Sequence, residues 1–333
     1  MYMFKYVLKR LGLMLMSFCV IMFMCFVLIK LLPLVVNVQQ GQDQIILYKQ
    51  LEARGYIRNI IIQNNTVVSY ENVPIMVQLG IYLKRIFLYG DFGIGVNIYR
   101  NLSVWDVFVT KLPPTVLINI YSTLIGVPIG LGLGIFAALK KNKWQDQVVN
   151  IVIILIICLP SIVLGVVIQY VFCYKLGWFP LTMKPGTDYL SWSMFVSMIP
   201  AIFSLCLGSI AGYARYTRAE LSEVLTSEFM LLARTKGLTR GQATLRHAMR
   251  NSMVVIFPSI LAEFISVLSG SLVIEAMFSI PGVGGLYLSA INAKDYDFFM
   301  LLSGFYTFIG LLASIVVDIS YGFIDPRIRM GAK

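Results

Sequence analysis

The stretch that decides the fold is TRAELSEVLTSEFMLLARTKGLTRGQATLRHAMRNSMVVIFP, residues 217–258. It is a long basic segment with helical patterning, and it lies between runs of apolar residues. A protein that only passed solute through a membrane would have little use for a structured polar hairpin of this length. We therefore interpret the hairpin as a docking surface for a cytoplasmic partner, and the rest of the chain tests that interpretation.

The composition is that of a membrane protein. Hydrophobic residues make up 58% of the 333 residues and charged residues only 13%, far from the composition of a soluble domain. The five cysteines all fall within apolar runs, where they behave as small hydrophobic residues. Their positions match neither a metal site nor a disulfide framework.

Six apolar runs are long enough to cross a bilayer, which takes roughly 20 residues each. These predicted spans are residues 11–32, 115–139, 148–174, 194–213, 253–277 and 298–323. The first could instead be a cleaved signal peptide. However, it is too long for a signal core and no small-residue cleavage site follows it, so we interpret it as a retained helix.

Residues 33–114 are polar and form a predicted segment outside the membrane. Short alternating pieces at 60–62 and 66–70 flank Asn64-Asn65, which predicts two strands and a turn. A helix is expected over 74–89.

Glycines in the second predicted span and a proline in the third affect how these helices pack and bend. Gly126, Gly130, Gly132 and Gly134 have a spacing that permits close helix contact in the second span. Pro160 should kink the third span, because it removes one backbone hydrogen bond. Packing is the simplest interpretation of both.

The distribution of basic residues predicts the orientation. With the N-terminus inside, the inner segments hold sixteen Lys and Arg, against three in the two short outer loops. This arrangement predicts that both termini are cytoplasmic. It also accounts for the net charge of +11 without nucleic acid.

Within the hairpin, the pattern predicts a short capped helix of about ten residues. Ser227 is the expected N-cap, Glu228 lies in the first turn and Gly237 lies just past the end. Thr239 and Gln242 fit a capping box that would open a second helix leading to the fifth span. The first helix could lie in the lipid headgroup layer. Alternatively, its apolar tip projects and fits a groove on another protein.

Several separated motifs resemble the permeases of ABC importers, in the dipeptide and oligopeptide branch. The resemblance covers nearly the whole chain, beginning at 5–33. The motifs that carry it are GDFG (90–93), ARTKGL (233–238), RHAMRN (246–251), VIEAMFSIPGVG (273–284), NAKDY (292–296) and DPRIR (325–329).

The resemblance implies an all-α membrane protein with the type I importer permease fold, with domains at 1–32, 33–114, 115–325 and a tail at 326–333. It also implies a bacterial cytoplasmic membrane location. Expected partners are a second permease, two ATPase subunits that bind ATP and Mg²⁺, and an extracytoplasmic peptide-binding protein. The hairpin at 217–252 would couple to an ATPase. The docking residues it implies are Ser227, Glu228, Phe229, Met230, Leu231, Leu232, Ala233, Arg234, Lys236, Gly237 and Leu238.

Two features depart from the branch. The general signature begins Glu-Ala-Ala, whereas the aligned residues here are Leu231, Leu232 and Ala233, so a charge contact made elsewhere by that Glu is not implied. The segment at 33–114 is also longer than is usual for the branch.

The sequence contains neither a nucleotide-binding P-loop nor an HExxH metal-site motif. The chain has no Gly-Lys dipeptide and therefore no P-loop, so any ATP must be bound by another polypeptide. The single histidine, His247, excludes an HExxH site, and we expect it to hydrogen-bond locally or to contribute to docking.

Three acidic residues fall within or at the ends of apolar spans, where ionised groups normally face protein or water. Glu263, Glu275 and Asp318 could pair with a neighbouring helix, line a solute pathway or form an intramembrane catalytic pair. Asp318 could be capped by the arginines at 327 or 329. The broken turn after Glu275 is expected to line the pathway, so the candidate pathway residues are Glu263, Glu275, Ile280, Pro281 and Gly282.

The favoured function is the translocation subunit of an ATP-driven peptide importer, with no enzymatic site of its own. Uptake of nickel or metal-chelator complexes is the alternative within the same branch. An intramembrane enzyme, or a self-contained channel or carrier, is the alternative from a different class.

Overall fold

The structure is a computed structural model that describes residues 2–32 and 42–324. The predictions made for 33–41, for the DPRIR motif and for the tail at 326–333 lie outside the described residues.

Helices account for most of the described chain, together with one two-stranded sheet. The elements are α1 (Tyr2–Leu31), α2 (Gln42–Ala53), β1 (Ile57–Gln63), β2 (Thr66–Asn72), α3 (Ile75–Tyr89), α4 (Val104–Leu139), α5 (Trp144–Cys158), α6 (Ser161–Ile168), α7 (Trp192–Val224), α8 (Glu228–Thr235), α9 (Arg240–Ala243), α10 (Met249–Ser266), α11 (Leu272–Met277), α12 (Val283–Ala293) and α13 (Tyr296–Ile324).

Within the described residues, five helical stretches are long and apolar enough to cross a membrane. They are Tyr6–Leu31, Val104–Leu139, Trp192–Val224, Gly241–Met277 and Tyr296–Gly322. The count becomes six if α5 and the helix that follows it form one span. Most residues of the predicted apolar runs therefore lie in helices.

The predicted boundaries need three corrections. The second span does not begin at 115, because α4 starts at Val104 and continues through Pro113 and Pro114. Polar residues such as Asp106 conceal this first part of the helix in the sequence. The fourth span extends beyond 213, since α7 runs to Val224. The fifth is interrupted, as described below.

Pro160 breaks the predicted third span. The helix axes of Trp144–Cys158 and Ser161–Lys175 differ by 103°. Leu159 is extended, with φ −88° and ψ 129°, which is the conformation that a following proline favours. The predicted kink is confirmed, and its size makes this region two helices rather than one bent one.

The fifth span is broken as well. The α10 helix ends at Ser266 and passes through a 3₁₀ turn, and Gly270 then adopts φ +67°. A side chain is strained at that φ, so the backbone conformation favours glycine at residue 270. Helix α11 follows, so the predicted span over 253–277 lies within the helical stretch Gly241–Met277 but contains a short non-helical break.

The chain divides into two compact units. The first comprises residues up to Met14, Pro113–Gly284 and the residues from Ile309 onward. The second comprises Leu15–Leu112 and Gly285–Phe308.

In the first unit, three of the four predicted packing glycines lie against α7. A Cβ added at Gly126, Gly130 or Gly134 would come within 3.0, 2.8 and 2.6 Å of α7 side-chain atoms, respectively. These three share one helix face at a spacing of four. A Cβ at Gly132 would meet nothing within 4 Å in this chain, so close packing at that residue stays a prediction.

In the second unit, β1 and β2 pair antiparallel. Asn64 and Asn65 both have positive φ, 47° and 60°, as a tight hairpin turn requires. The predicted strands and turn are confirmed, as is a helix over the 74–89 region. The α2 helix was missed because its mixed polar sequence has little periodicity. Tyr48 and Leu51 of this helix pack against residues of β1 and β2 in a small core.

Candidate functional site

Helix α8, the short helix of the hairpin, begins at Glu228 and is eight residues long. Ser227 has the extended backbone of an N-cap, with φ −75° and ψ 154°. Its hydroxyl, however, donates to the carbonyl of Val224 at 2.6 Å and does not cap the helix. The amides of Met230 and Leu231 instead donate to the carbonyl of Ser227. The N-cap position was predicted correctly, but the side-chain bond was not.

The end of α8 is set by Gly237, which has φ +91°. Its amide donates to the carbonyl of Arg234, and the amide of Leu238 donates to that of Ala233. A Cβ at Gly237 would meet nothing within 4 Å, so only the backbone conformation requires glycine here.

The second leg of the hairpin begins with the predicted capping box. The Thr239 amide donates to Oε1 of Gln242 at 3.1 Å, and the Gln242 amide donates to the Thr239 hydroxyl at 3.4 Å. This reciprocal pair fixes the start of α9. Helix α9 then continues through a π-helical turn at Thr244–Ala248 into α10.

Helix α8 has a packed face and an open face. Met230 and Ala233 are buried against Leu221, Ala243 and other apolar residues of the first unit. The open face holds three large apolar side chains, namely Phe229, Leu231 and Leu232, which are 40%, 64% and 56% exposed.

The charged and polar docking candidates lie on the surface. The structure leaves Glu228, Arg234 and Lys236 exposed. Thus the structure brings the predicted docking residues together on one short helix and its C-terminal turn. Met230 and Ala233 are the two whose side chains it buries within the chain. His247, expected to bond locally or to contribute to docking, is exposed on the second leg.

An ion pair that the sequence did not suggest holds the base of the hairpin. The guanidinium of Arg218 donates to both carboxylate oxygens of Asp146, at 2.5 and 2.8 Å. The Asn142 amide donates to the same carboxylate at 3.0 Å. This pair joins α5 to α7, and its partners are 72 positions apart, too far for a local pattern to signal.

Among the pathway candidates, Glu263 faces open space. It lines a polar cleft of about 550 Å³ in the first unit. The cleft lies among α4, α7 and α10 and is lined by Asn119, Ser122, Thr123, Leu205, Ser209, Tyr213, Ser259, Ala262, Glu263, Ser266, Val267, Gly270 and Val317. The hydroxyl of Ser209 donates to the Glu263 carboxylate at 2.5 Å.

Glu275 lies in a different environment. It is 1% exposed, and its Oε2 accepts from the amide of Gly284 at 2.8 Å. A Cβ at Gly270 or Gly282 would come within 2.2 Å of its carboxylate oxygens. Glycines therefore leave the room that this side chain occupies, and the geometry corresponds to pairing within the chain.

The other pathway candidates follow Glu275 in the turn. Ile280 is 4% exposed, Gly282 is buried and Pro281 is half-buried. The amide of Val283 donates to the hydroxyl of Thr115 at 2.8 Å, which ties the turn to α4. A pathway role for these residues stays a prediction.

Asp318 pairs with Arg10 in the first unit, and the two charged groups are 2.9 Å apart. The pairing of this aspartate was expected, but the partner was not. The predicted partners at 327 and 329 lie outside the described residues.

In the second unit, two buried carboxylates contact the segment just after the GDFG motif: Asp295, within NAKDY, and Asp297, which follows it. Asp295 accepts from the amides of Val96 and Asn97 at 2.8 Å and from that of Ile98 at 3.1 Å. Asp297 accepts from the Tyr56 hydroxyl at 2.6 Å. Sequence reasoning noted both motifs but did not bring them together.

Burial sets the electrostatics of this cluster. The pKa of Asp295 is raised to about 6, chiefly by burial; the charge of Asp297 also raises it, while the three amides lower it. Burial also raises the pKa of Tyr56 well above its usual value, and the nearby Asp297 adds to this rise.

Comparison with known proteins places the chain in a family. Residues 130–330, more than half of the chain, match the family described as binding-protein-dependent transport system inner membrane component. The chain belongs to this family. It is 30% identical to the dipeptide transport system permease protein DppB of Bacillus subtilis over 330 residues, which is 99% of each chain.

Two further relatives agree. The glutathione transport system permease protein GsiC of Salmonella choleraesuis is 30% identical, over 98% of this chain and 99% of its own. The oligopeptide transport system permease protein OppB of Haemophilus influenzae is 31% identical, over 78% of this chain and 82% of its own. The apolar helices of the structure agree with a multi-pass membrane permease.

Proposed function

We propose that this permease is the transmembrane subunit of an ATP-driven ABC importer for dipeptides or oligopeptides, and that it forms half of the translocation pathway. The observation that carries the proposal is the similarity to a dipeptide permease along essentially its whole length. The oligopeptide and glutathione permeases among its relatives favour peptide cargo over nickel or metal chelates.

The proposed assembly has four kinds of partner. A second, similar permease completes the pathway, two ATPase subunits bind ATP and Mg²⁺, and an extracytoplasmic binding protein delivers peptide. The lipid bilayer is the fourth. Because the sequence lacks a P-loop motif, the ATPase activity belongs to the partners and this chain is not itself the enzyme.

The proposed topology has six spans, with α5 and its bent continuation counted as one. Both termini are cytoplasmic, the hairpin at 217–252 is inside, and the segment over 33–114 lies outside the bacterial cytoplasmic membrane. The excess of Lys and Arg on the assigned inner side supports this orientation.

Helix α8 is the proposed docking element for one ATPase. Its open face offers Phe229, Leu231 and Leu232 to an apolar groove, and the exposed Arg234 and Lys236 lie at its end. Large apolar side chains grouped at a surface are typical of a protein interface. The backbone turn at Gly237 and the buried Met230 fix the helix against the permease.

The coupling path then runs along the second leg. Helix α10 is 18 residues long, which corresponds to roughly 27 Å at 1.5 Å per residue. It starts just past the π-helical turn and carries Glu263 of the polar cleft near its other end. A displacement of the hairpin would therefore move the cleft wall. Alternating access needs contacts that differ between two states, and this movement would change the contacts at the cleft.

Copurification and reconstitution test the function. We expect the permease to purify with a second permease and two ATPases, and proteoliposomes of this complex to take up peptide only with ATP and a loaded binding protein. If the isolated chain moved peptide in the absence of any ATPase, the importer proposal would be wrong.

Crosslinking tests the docking element separately. In a variant without the native cysteines, a cysteine at Leu232 should crosslink to an ATPase, because this position is 56% exposed. A cysteine at Met230, which is 4% exposed on the same helix, is the matched control and should not. Equal crosslinking at both positions would contradict docking through the open face.

A further inference from the structure

The polar cleft in the first unit is built to accept hydrogen bonds. It lies among helices whose other surfaces are apolar, yet its wall holds Asn119, Ser122, Thr123, Ser209, Ser259 and Glu263. Its volume of about 550 Å³ falls within the range of small-molecule sites. Polar groups within an apolar spanning helix normally face other protein groups, water or a bound solute.

Several donors on this wall are engaged within the protein. The amide group of Asn119 donates to the carbonyl of Thr115 at 2.7 Å, and the hydroxyl of Tyr213 donates to the carbonyl of Ser259 at 3.1 Å. The Ser209 hydroxyl donates to Glu263. With these hydrogens committed, the side-chain oxygens of Asn119, Ser209 and Tyr213 remain as acceptors for an occupant.

Glu263 is the one charged residue on the wall of the cleft. The lining includes no Lys, Arg or His. Among the residues that the structure describes, the salt bridges of this unit join Arg10 to Asp318 and Arg218 to Asp146, and neither involves Glu263. Among the described residues, its partners are the neutral hydroxyls of Ser209 and Tyr213, so a cation that pairs with this carboxylate would come from outside the chain.

We infer that Glu263 binds the ammonium group of a lysine side chain of the passing peptide, and so favours basic over acidic cargo in this half of the pathway. The inference rests on the proposed function, since it takes the peptide as the solute. An ammonium has three donors and suits a wall of carboxylate, hydroxyl and amide oxygens.

The test uses the complete importer in proteoliposomes. Uptake of the tripeptides Ala-Lys-Ala, Ala-Gln-Ala and Ala-Glu-Ala is measured, and each rate is divided by the occupancy of the binding protein with that peptide. We expect the wild type to favour the Lys over the Glu peptide. Glu263→Gln should reduce that ratio by about 5-fold, the loss typical of one charge-assisted bond in a partly solvated site.

Two variants serve as controls. Glu223→Gln removes the same charge from an exposed position of α7 outside the cleft, and it should leave the ratio unchanged. Glu263→Asp keeps the charge and should retain most of the preference.

The outcomes are distinguishable. An unchanged ratio in Glu263→Gln, with uptake intact, would overturn the inference while the importer function stands. If Glu263→Gln failed to assemble with the second permease, the carboxylate would belong to subunit pairing, and the inference would also be overturned. If the wild-type complex moved none of the three peptides, the proposed function would fail and the inference with it.

Discussion

The hairpin at 217–252 exposes large apolar side chains, whereas the second unit buries charged ones. On α8, Leu231 and Leu232 are exposed, whereas in the second unit Asp295 and Asp297 are 0% and 3% exposed. The buried carboxylates are held by fixed amides and a tyrosine hydroxyl, which makes their surroundings rigid. The exposed leucines are not held by contacts of this kind and remain available to a partner. The comparison separates groups that hold the fold from groups that are open to binding.

The largest effect should come from a buried carboxylate. Asp297→Ala removes the acceptor of the Tyr56 hydroxyl and a carboxylate that lies 3.9 Å from Arg54. Loss of one partner of a buried charged network costs about 3 kcal/mol. We expect the free energy of local opening, measured by hydrogen exchange at residues 93–98, to fall by about this amount.

The control is an ion pair at the surface of the same unit. Glu71→Ala removes the partner of Arg58, and both side chains are more than half exposed. Exposed pairs contribute about 0–1 kcal/mol, so exchange should change little. Similar losses in the two variants would show that burial does not set the contribution of Asp297.

The second effect concerns coupling rather than stability. Proline cannot adopt the φ of +91° at Gly237 and lacks the amide that donates to Arg234. We expect Gly237→Pro to lower peptide uptake by about 10-fold, which corresponds to about 1.4 kcal/mol, while ATP hydrolysis continues without stimulation by the loaded binding protein.

Asparagine at the same position is the matched control, since it tolerates positive φ better than other side chains. Gly237→Asn should keep most of the uptake. The proposed docking role would be contradicted if Gly237→Pro and Gly237→Asn transported alike at the wild-type rate.

The two regions also differ in what the sequence could reveal. The turn at Gly237 and the capping box of Thr239 and Gln242 depend on residues a few positions apart, so local patterns predicted them. The hydrogen bonds of Asp295 and Asp297 join residues 199 and 241 positions apart. No pattern within one segment carries that information, and the cluster was missed.

Partial successes have the same explanation. Pro160 predicted a break, because the missing amide is a local property. The size of the bend, 103°, depends on what each half packs against and was not predictable. The polar cleft is similar, since Asn119, Ser209 and Glu263 come from three helices. Only Glu263 had a local signal, as an acid within an apolar run.

The third effect is a dependence of the second unit on pH. The native pKa of Asp295, about 6, lies above the value of about 3.9 for an unfolded chain, so the native state binds the extra proton between these values. Stability from this group is therefore lost as pH rises through about 6. From pH 5 to 7 the free energy of opening should fall by about 1 kcal/mol.

Hydrogen exchange at residues 96–98 measures this, compared at each pH with Asp295→Asn to cancel the intrinsic rate. The variant keeps an oxygen acceptor for the three amides but cannot ionise. Its opening free energy should be flat over this range. A parallel slope in wild type and variant would mean that another group causes the dependence.

The smallest effect tests the residue that departs from the Glu-Ala-Ala signature. Leu231 is 64% exposed, so Leu231→Glu should change the stability of the permease by less than about 0.5 kcal/mol. If α8 docks in an apolar groove, the added charge is desolvated on binding, and uptake should fall by about 3-fold. Leu245→Glu, at a 74% exposed leucine of the second leg, is the control and should leave uptake unchanged. An equal loss in both variants would place the contact on the hairpin as a whole, and no loss in Leu231→Glu would remove the open face of α8 from the interface.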